Sequence, residues 1–200
     1  MQDYGPDVAL IEPAFIDRSV RIFGKVTVRQ GASIWPNAVI RAENHAVEIG
    51  PHSNVQDFSM VHVGLRSGTQ IGAHCSITHH CTIHGARLGD NCLVGVNATL
   101  MDGVVVGDNC TIAGGTFVPE GAVIPDNAIV MGVPGKVVRT ENRWVVNRIN
   151  AWYYWRNALA YARDEHREWA SEDFERALAA ERARLVEAFA QQPAARRPRG

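Results

Sequence analysis

The sequence predicts a mainly-β fold, a parallel β-helix of hexapeptide repeats followed by a C-terminal α-helical segment. The main observation is a branched aliphatic residue at every sixth position, with two interruptions and one step of five. This period fits neither an α-helix nor an alternating strand, and it is the signature of hexapeptide solenoids. The other observations are a change of composition near Thr140 and a helical apolar pattern after it. The aliphatic series comprises Ile16, Ile22, Val28, Ile34, Ile40, Ile49, Val55, Val61, Ile71, Ile77, Ile83, Leu88, Val94, Leu100, Val106, Ile112, Val118, Ile124 and Val130.

The repeats place a β-helix domain at residues 1–140. Three hexapeptides complete one triangular coil, which gives about six to seven coils, and neighbouring coils should stack at about the 4.7–4.9 Å of paired strands. The turns require residues that tolerate unusual backbone angles. This part of the chain accordingly holds 17 of the 18 glycines, together with the pairs Asp90-Asn91, Asp108-Asn109 and Asp126-Asn127.

The four cysteines share one position of the repeat. Each lies four residues after a repeat aliphatic, where the other repeats mostly carry a small residue. A free cysteine behaves as a small hydrophobic residue, and the chain has no C-x-x-C spacing. We therefore expect core packing, not disulfides or metal ligation, for Cys75, Cys81, Cys92 and Cys110.

Residues 141–192 are predicted to be helical, because they hold 17 charged residues but no glycine. A first apolar stripe should pack along the solenoid, and it comprises Val145, Ile149, Trp152, Leu159 and Ala162. Ser171 is the expected N-cap of a second helix, whose stripe comprises Phe174, Leu178, Leu185 and Phe189. Trp144, Trp152, Tyr153, Tyr154 and Trp155 are expected to be packing residues. Residues 193–200 are expected to form a disordered basic tail.

The composition argues against two classes of partner. Lys and Arg number 20 and Asp and Glu 21, so the net charge is −1 and gives no reason to expect nucleic acid or a membrane surface. No apolar run approaches the roughly 18 residues of a membrane span. The N-terminus lacks the pattern of a signal peptide, so we expect a cytoplasmic protein.

Three histidines stand out from the repeat register. His62 follows Val61 and His84 follows Ile83, so the two should occupy the same position on adjacent coils, close enough to share a metal ion. His79 lies on the preceding side of the triangle, where the register assigns it to the column of Ala42 and Asp57. It could complete a three-histidine site only if a neighbouring subunit of a symmetric trimer supplied it.

Other polar residues should lie near this column. The register places Arg41, Asn54, Gln56 and Asp57 there, which suggests an Arg–Asp pair across the interface and a hydrogen bond from Gln56 to a metal-bound hydroxide. The alternative is that these are outward polar positions, which repeat proteins tolerate. A further pair, His52 and His74, should stack on adjacent coils as solvated corner residues.

Several segments together resemble the γ-class carbonic anhydrase family, including its PaaY-like bacterial homologues. The histidine motif runs from His79 to Gly85, and the other matching segments are residues 33–41, Asn54-Val55-Gln56-Asp57, His62 and residues 132–139. The resemblance covers roughly residues 10–140.

This resemblance implies a left-handed parallel β-helix in a homotrimer with three sites at the subunit interfaces. His62 and His84 of one chain and His79 of the next would bind Zn²⁺, or Fe²⁺ or Co²⁺. Gln56 would orient a metal-bound hydroxide, and Arg41 with Asp57 would bridge subunits. The implied activity is that of a carbonate dehydratase, a lyase that hydrates CO₂ to bicarbonate.

Two departures from the family pattern leave alternatives open. The usual Arg-Gly-Asp is replaced by Arg41-Ala42-Glu43, and residues 64–70 lack the acidic insertion that carries the proton shuttle in the founding enzymes. The alternatives are an acyl-CoA-linked thioesterase or acyltransferase of the same fold, and a non-catalytic metal-binding trimeric scaffold.

Overall fold

A computed structural model describes residues 4–192; the predicted basic tail at residues 193–200 lies outside them. The predicted parallel β-solenoid with a C-terminal helical part is confirmed. Short strands pair in parallel so that each repeat aliphatic lies beside the equivalent residue of the next coil, as in the series Ile77, Val94 and Ile112. Leu93 pairs with Thr111, so these later coils are 18 residues long, or three hexapeptides.

The solenoid has three faces, and two long strands, β3 (Arg21–Val28) and β5 (Val39–Ile49), each run around a corner into two of them. The first face continues with β7 (Met60–His62), β10 (Thr82–His84), β13 (Thr99–Leu100) and β16 (Phe117–Val118). The second contains β1 (Val8–Leu10), β8 (Thr69–Ile71), β11 (Arg87–Leu88), β14 (Val105–Val106) and β17 (Val123–Ile124). The third contains β2 (Phe15–Ile16), β4 (Ser33–Ile34), β6 (Asn54–Val55), β9 (Ser76–Ile77), β12 (Leu93–Val94), β15 (Thr111–Ile112), β18 (Ala128–Met131) and β19 (Lys136–Thr140).

The core is the column of inward-facing residues along the solenoid axis. The repeat aliphatics Ile34, Val55 and Ile77 are fully buried. The four cysteines are buried free thiols, which confirms the prediction that they are core residues.

The corners use the predicted turn residues. Asn91, Asn109 and Asn127 have positive φ angles, in the left-handed region that asparagine tolerates. Next to them, Asp108 accepts a hydrogen bond from the backbone N–H of Asp90 at 2.8 Å. Each coil therefore fixes the corner of the coil before it.

Two helices follow the solenoid, α1 (Trp144–Tyr161) and α2 (Glu172–Ala190), separated by a short 3₁₀ turn at Glu168–Ala170. Helix α1 lies across β2, β4, β6 and β9 of the third face. No helix among residues 4–192 has the length and apolar character needed to cross a bilayer.

The face of α1 that contacts the solenoid differs from the predicted stripe. Its buried residues include Asn147, Ala151 and Ala158, and the Asn147 amide donates to the carbonyls of Asn91 and Cys110, both at 3.0 Å. The prediction is wrong for Trp152, which packs against α2, and for Ala162, which lies beyond the end of the helix. Helix α1 is sandwiched between two layers, so its small residues approach the strands closely while Trp152 faces the second helix.

The second helix follows the prediction. Ser171 Oγ accepts a hydrogen bond from the Phe174 backbone N–H at 3.0 Å, which confirms the N-cap. Phe174 and Leu185 are buried. The aromatic residues pack as expected, with ring centroids 5.8 Å apart for Trp152 and Phe174 and 5.4 Å apart for Trp35 and Tyr154.

Candidate metal centre

The first face brings two of the predicted ligands together. Parallel pairing of β5, β7 and β10 aligns Arg41, His62 and His84 on three adjacent coils. The two imidazole centroids are 4.9 Å apart, one strand spacing, and the ring planes are inclined by 61°. The side chains are partly exposed, 18% for His62 and 29% for His84.

His62 lies within a small charged network. Its Nε2 is 3.0 Å from Glu43 Oε2, and the other oxygen of Glu43 pairs with the Arg41 guanidinium. Partial desolvation raises the pKa of Glu43, but hydrogen bonds from its own backbone N–H and from His62, together with the charge of Arg41, hold that pKa below its usual value. Glu43 is therefore a carboxylate at neutral pH, where it can orient the His62 ring.

His84 has a ring nitrogen available for a ligand. Its Nδ1 lies 3.1 Å from Asp102 Oδ2 but is not aligned for a hydrogen bond. This nitrogen is buried without a hydrogen-bond partner in the described part of the chain, as is Asp102 Oδ1. A buried polar atom without a partner is uncommon and calls for an explanation, and a metal ion is one.

His79 lies elsewhere in the same chain. Its Nδ1 is 3.0 Å from Asp57 Oδ2, and its Nε2 is 3.4 Å from the Tyr154 hydroxyl on α1. The side chain is 40% exposed. No cluster of three or more histidine, cysteine or acidic side chains suited to a metal occurs within residues 4–192 of one chain. A three-histidine site would therefore need a second copy of the chain.

The predicted column of His79 is correct for Asp57 and wrong for Ala42. Ala42 lies in β5 and pairs with Gly24. The reason is that Ala42 follows Ile40, which pairs with Val61 on the first face, whereas Asp57 and His79 follow Val55 and Ile77 on the third face.

The two amides predicted near the column are buried and bonded to each other. Gln56 Nε2 donates to Asn54 Oδ1 at 2.9 Å, and Asn54 Nδ2 donates to Ser76 Oγ at 3.0 Å. Neither residue is hydrogen-bonded to His62, His79 or His84 in the described chain. Arg41 likewise pairs with Glu43 in the same chain, and Asp57 with His79, so the bridge from Arg41 to Asp57 between subunits stays a prediction.

The sequence reasoning missed the residues that accompany the histidines, namely Asp102 and Tyr154. Asp102 could have been found from the register, because Leu100 pairs with Ile83 and so brings Asp102 level with Gly85. Gly85 has a φ of 59°, which favours glycine, and a Cβ built there would lie 2.2 Å from Asp102 Oδ1. Tyr154 carries no comparable signal, because the register of the solenoid does not extend to the helix.

Comparison with known proteins gives two kinds of relative. Residues 85–119 match a family model described as a hexapeptide repeat of succinyl-transferase. A probable carbonic anhydrase of Methanocaldococcus jannaschii is 46% identical over 148 residues, which cover 74% of this chain and 90% of the relative. The mitochondrial gamma carbonic anhydrase 1 of Arabidopsis thaliana is 38% identical, but the match covers 46% of this chain and 36% of the plant protein.

Two solved structures share this fold and are named as transferases. A putative acetyltransferase of Bacillus cereus superposes with a TM-score of 0.74 at 28% identity, covering 77% of this chain and 91% of that one. A hexapeptide transferase family protein of Anaplasma phagocytophilum gives 0.69 at 29% identity, covering 78% and 92%. The fold is therefore shared by proteins named for two chemistries.

Proposed function

The chain belongs to the γ-class carbonic anhydrase family of hexapeptide-repeat proteins, and we propose that it is a metal-dependent enzyme that hydrates CO₂ to bicarbonate at the interfaces of a homotrimer. The observation that carries this proposal is the alignment of His62 and His84 on adjacent coils, with ring centroids 4.9 Å apart. His79 lies on a different face of the same chain, so it would complete the site that this chain forms with its other neighbour in the trimer. A cytoplasmic location accords with four unpaired thiols.

The donor set suits Zn²⁺, with Fe²⁺ or Co²⁺ as further candidates. His62 and His84 would hold the ion from one subunit and His79 from the next, and imidazole nitrogen is a common ligand of all three metals. A Zn²⁺ ion with three neutral imidazoles supplies a nucleophile at neutral pH, because it lowers the pKa of a coordinated water to about 7, the value known for carbonic anhydrase zinc sites.

The chain's own residues prepare the histidines for this role. Asp57 engages Nδ1 of His79, so Nε2 of that ring is the atom that would coordinate, in place of its 3.4 Å contact with the Tyr154 hydroxyl. Glu43 restrains the ring of His62, and Asp102 lies beside Nδ1 of His84. His62 and His79 thus each have a hydrogen-bonded carboxylate from their own chain to orient the ring, whereas Asp102 lies beside His84 without a hydrogen bond to it.

Metal content tests the proposal. Protein purified without chelator should contain close to one transition metal ion per chain, and H79A should lose it while keeping its fold. The H79A chain keeps His62 and His84. Loss of the metal from this variant would therefore show that the site needs all three imidazoles. A stopped-flow CO₂ hydration assay on the same samples then tests the activity.

Mixing variants tests whether the site spans two chains. H62A and H79A trimers should each be empty, but co-refolding them in equal amounts should restore about one quarter of the sites, since each interface draws its two chains independently. Purified H79A mixed with H62A/H79A is the matched control and should stay empty. No recovery in the first mixture would refute a shared site.

An acyl-CoA-linked thioesterase or acyltransferase is the second candidate, because the two solved structures with TM-scores of 0.69 and 0.74 carry transferase names. Acyltransferases of this kind use a histidine as general base without a metal. Trimers without metal that turn over acetyl-CoA would favour this candidate. Bound metal without turnover of CO₂ or thioesters would favour a non-catalytic scaffold.

A further inference from the structure

A second candidate site lies in a cavity of about 260 Å³ between the corner of the solenoid and the two helices. Its polar lining comprises His52, His74, Arg148, Glu181 and Arg184. It contains none of the residues proposed to bind metal, so a ligand in this cavity would be independent of the proposed function.

Arg148 is the unusual residue of this cavity. It is half-buried, and within residues 4–192 its side chain has neither an ion pair nor a hydrogen bond; its guanidinium lies 5.2 Å from the ring centroid of Trp144. Arg184, by contrast, is neutralised by Glu181 through two bonds of 2.6 and 2.8 Å. Burial lowers the pKa of Arg148 and the neighbouring charge of Arg184 lowers it further, against the opposing charges of Asp90 and Glu181, so that the pKa stays below its usual value. An anion in the cavity would relieve this unfavourable environment.

The two imidazoles add polarity but no charge. His52 and His74 stack with centroids 5.1 Å apart and planes inclined by 5°, as the repeat register predicted. They are not the solvated corner residues that were expected, because α1 and α2 cover them. Burial, the charge of Arg148 and the neighbouring His52 lower the pKa of His74 to about 3, and burial also lowers the pKa of His52. Both rings are therefore neutral at pH 7 and can donate an N–H.

The charges facing the cavity sum to one positive. Arg184 and Glu181 cancel, which leaves Arg148. Asp90 lines the adjoining groove with Arg148, and its charge acts on Arg148 from there. One oxygen of Asp90 already accepts the backbone N–H of Ala73 at 2.7 Å.

The remaining walls are apolar. Ala151, Trp152 and Trp155 complete the cavity, and the Trp155 ring centroid is 6.0 Å from that of His52. A flat apolar wall beside a free guanidinium suits a molecule with one anionic end and a short hydrocarbon part. We propose that this cavity binds a small organic monocarboxylate, whose carboxylate pairs with Arg148 and whose hydrocarbon part lies against Trp155.

Tryptophan fluorescence tests the proposal, because two of the chain's five tryptophans line the cavity. The full-length protein is titrated at pH 7 with sodium butyrate, sodium acetate and phosphate. Butyrate should bind severalfold more tightly than acetate, because its additional methylenes cover apolar wall. Phosphate that binds more tightly than butyrate would overturn the monocarboxylate assignment.

Two variants identify the contacts. R148Q should weaken butyrate binding by about tenfold or more, because the charged partner of the carboxylate is removed. R176Q removes the same charge from an exposed position on α2, outside the cavity, and should bind as the wild type does. W155L should remove most of the preference for butyrate over acetate. Equal butyrate affinity in R148Q and R176Q would refute the site, and thermal unfolding of each variant verifies that the fold is kept.

Discussion

Each of the three histidines proposed to bind metal lies beside a carboxylate of its own chain. Asp57 contacts His79, Glu43 contacts His62 and Asp102 lies beside His84. A carboxylate that is hydrogen-bonded to the ring, as Asp57 and Glu43 are, selects the ring tautomer and its orientation, and its loss weakens a metal site even though it does not touch the ion.

Replacing Asp57 tests this role on the residue that the sequence had assigned to a bridge between subunits. D57N should lower metal affinity by about 10- to 100-fold with little change in unfolding free energy. Competition with a chromophoric chelator measures the affinity. D164N is the matched control, because Asp164 also pairs with a histidine: its Oδ1 lies 3.3 Å from Nε2 of His166, which is not one of the proposed ligands. If D57N instead dissociates the trimer, and the trimers that remain bind metal with unchanged affinity, Asp57 acts as an interface residue.

His74 should make folding sensitive to acid. Its pKa is about 3 in the folded chain against an ordinary value of 6.5. Between these values the unfolded chain binds the proton and the folded chain does not, so stability falls as the pH decreases from 6.5 towards 3. Over the interval from pH 6.5 to 5, after allowance for partial exposure, His74 should account for on the order of 1 kcal/mol.

The substitution H74N removes this dependence and suits the positive φ of 56° at that corner. Urea unfolding measured at pH 6.5 and pH 5 should show a smaller loss of stability in H74N than in the wild type. H80N, at an exposed corner with a φ of 57°, controls for the loss of an imidazole. A wild-type loss that is unchanged in H74N would contradict the assignment.

Among the elements, α1 has the most varied role, since it packs on the solenoid with one side and on α2 with the other. Its Asn147 is anchored to two coils through the carbonyls of Asn91 and Cys110. Tyr154 reaches His79, and Trp155 reaches the second cavity. A change in this one helix can therefore affect both candidate sites.

The attachment of α2 depends in part on its first turn. S171A removes the acceptor for the Phe174 backbone N–H and should cost about 1 kcal/mol, whereas S171D should keep most of the stability, because aspartate is an equally good N-cap. Chemical denaturation followed by circular dichroism measures the difference. Equal losses in the two variants would show that the hydroxyl has a role other than capping.

At the scale of the whole molecule, the repeat predicts what it directly encodes. The period of six predicts the strands, the buried cysteines and the alignment of His62 with His84, since all of these follow from counting three repeat aliphatics per coil, with residues 64–70 counted as a loop. The predicted column is wrong for Ala42, because Ala42 follows Ile40 and Ile40 pairs with Val61 on the first face. The repeat also does not predict which side of α1 contacts the solenoid, because that depends on which layer, the strands or α2, each side of the helix meets.

The path of the released proton is a property of the whole site, and residues 64–68 contain no acid that could carry it. We expect the rate of CO₂ hydration to rise with the concentration of an imidazole buffer at constant pH and ionic strength, as external buffer takes over proton transfer. Stopped-flow measurements across a buffer series check this. A rate independent of buffer would mean that a residue of the protein, such as Glu43, relays the proton.

The reversed last strand also has a consequence for how the molecule behaves in a crowded solution. β19 pairs antiparallel with β18, so the end of the third face is covered by a strand that runs against the solenoid. The other two faces end in strands of only two residues, β16 and β17. At the third face an incoming copy thus meets a reversed, exposed strand that carries Lys136 and Arg139, which disfavours end-to-end growth into fibres.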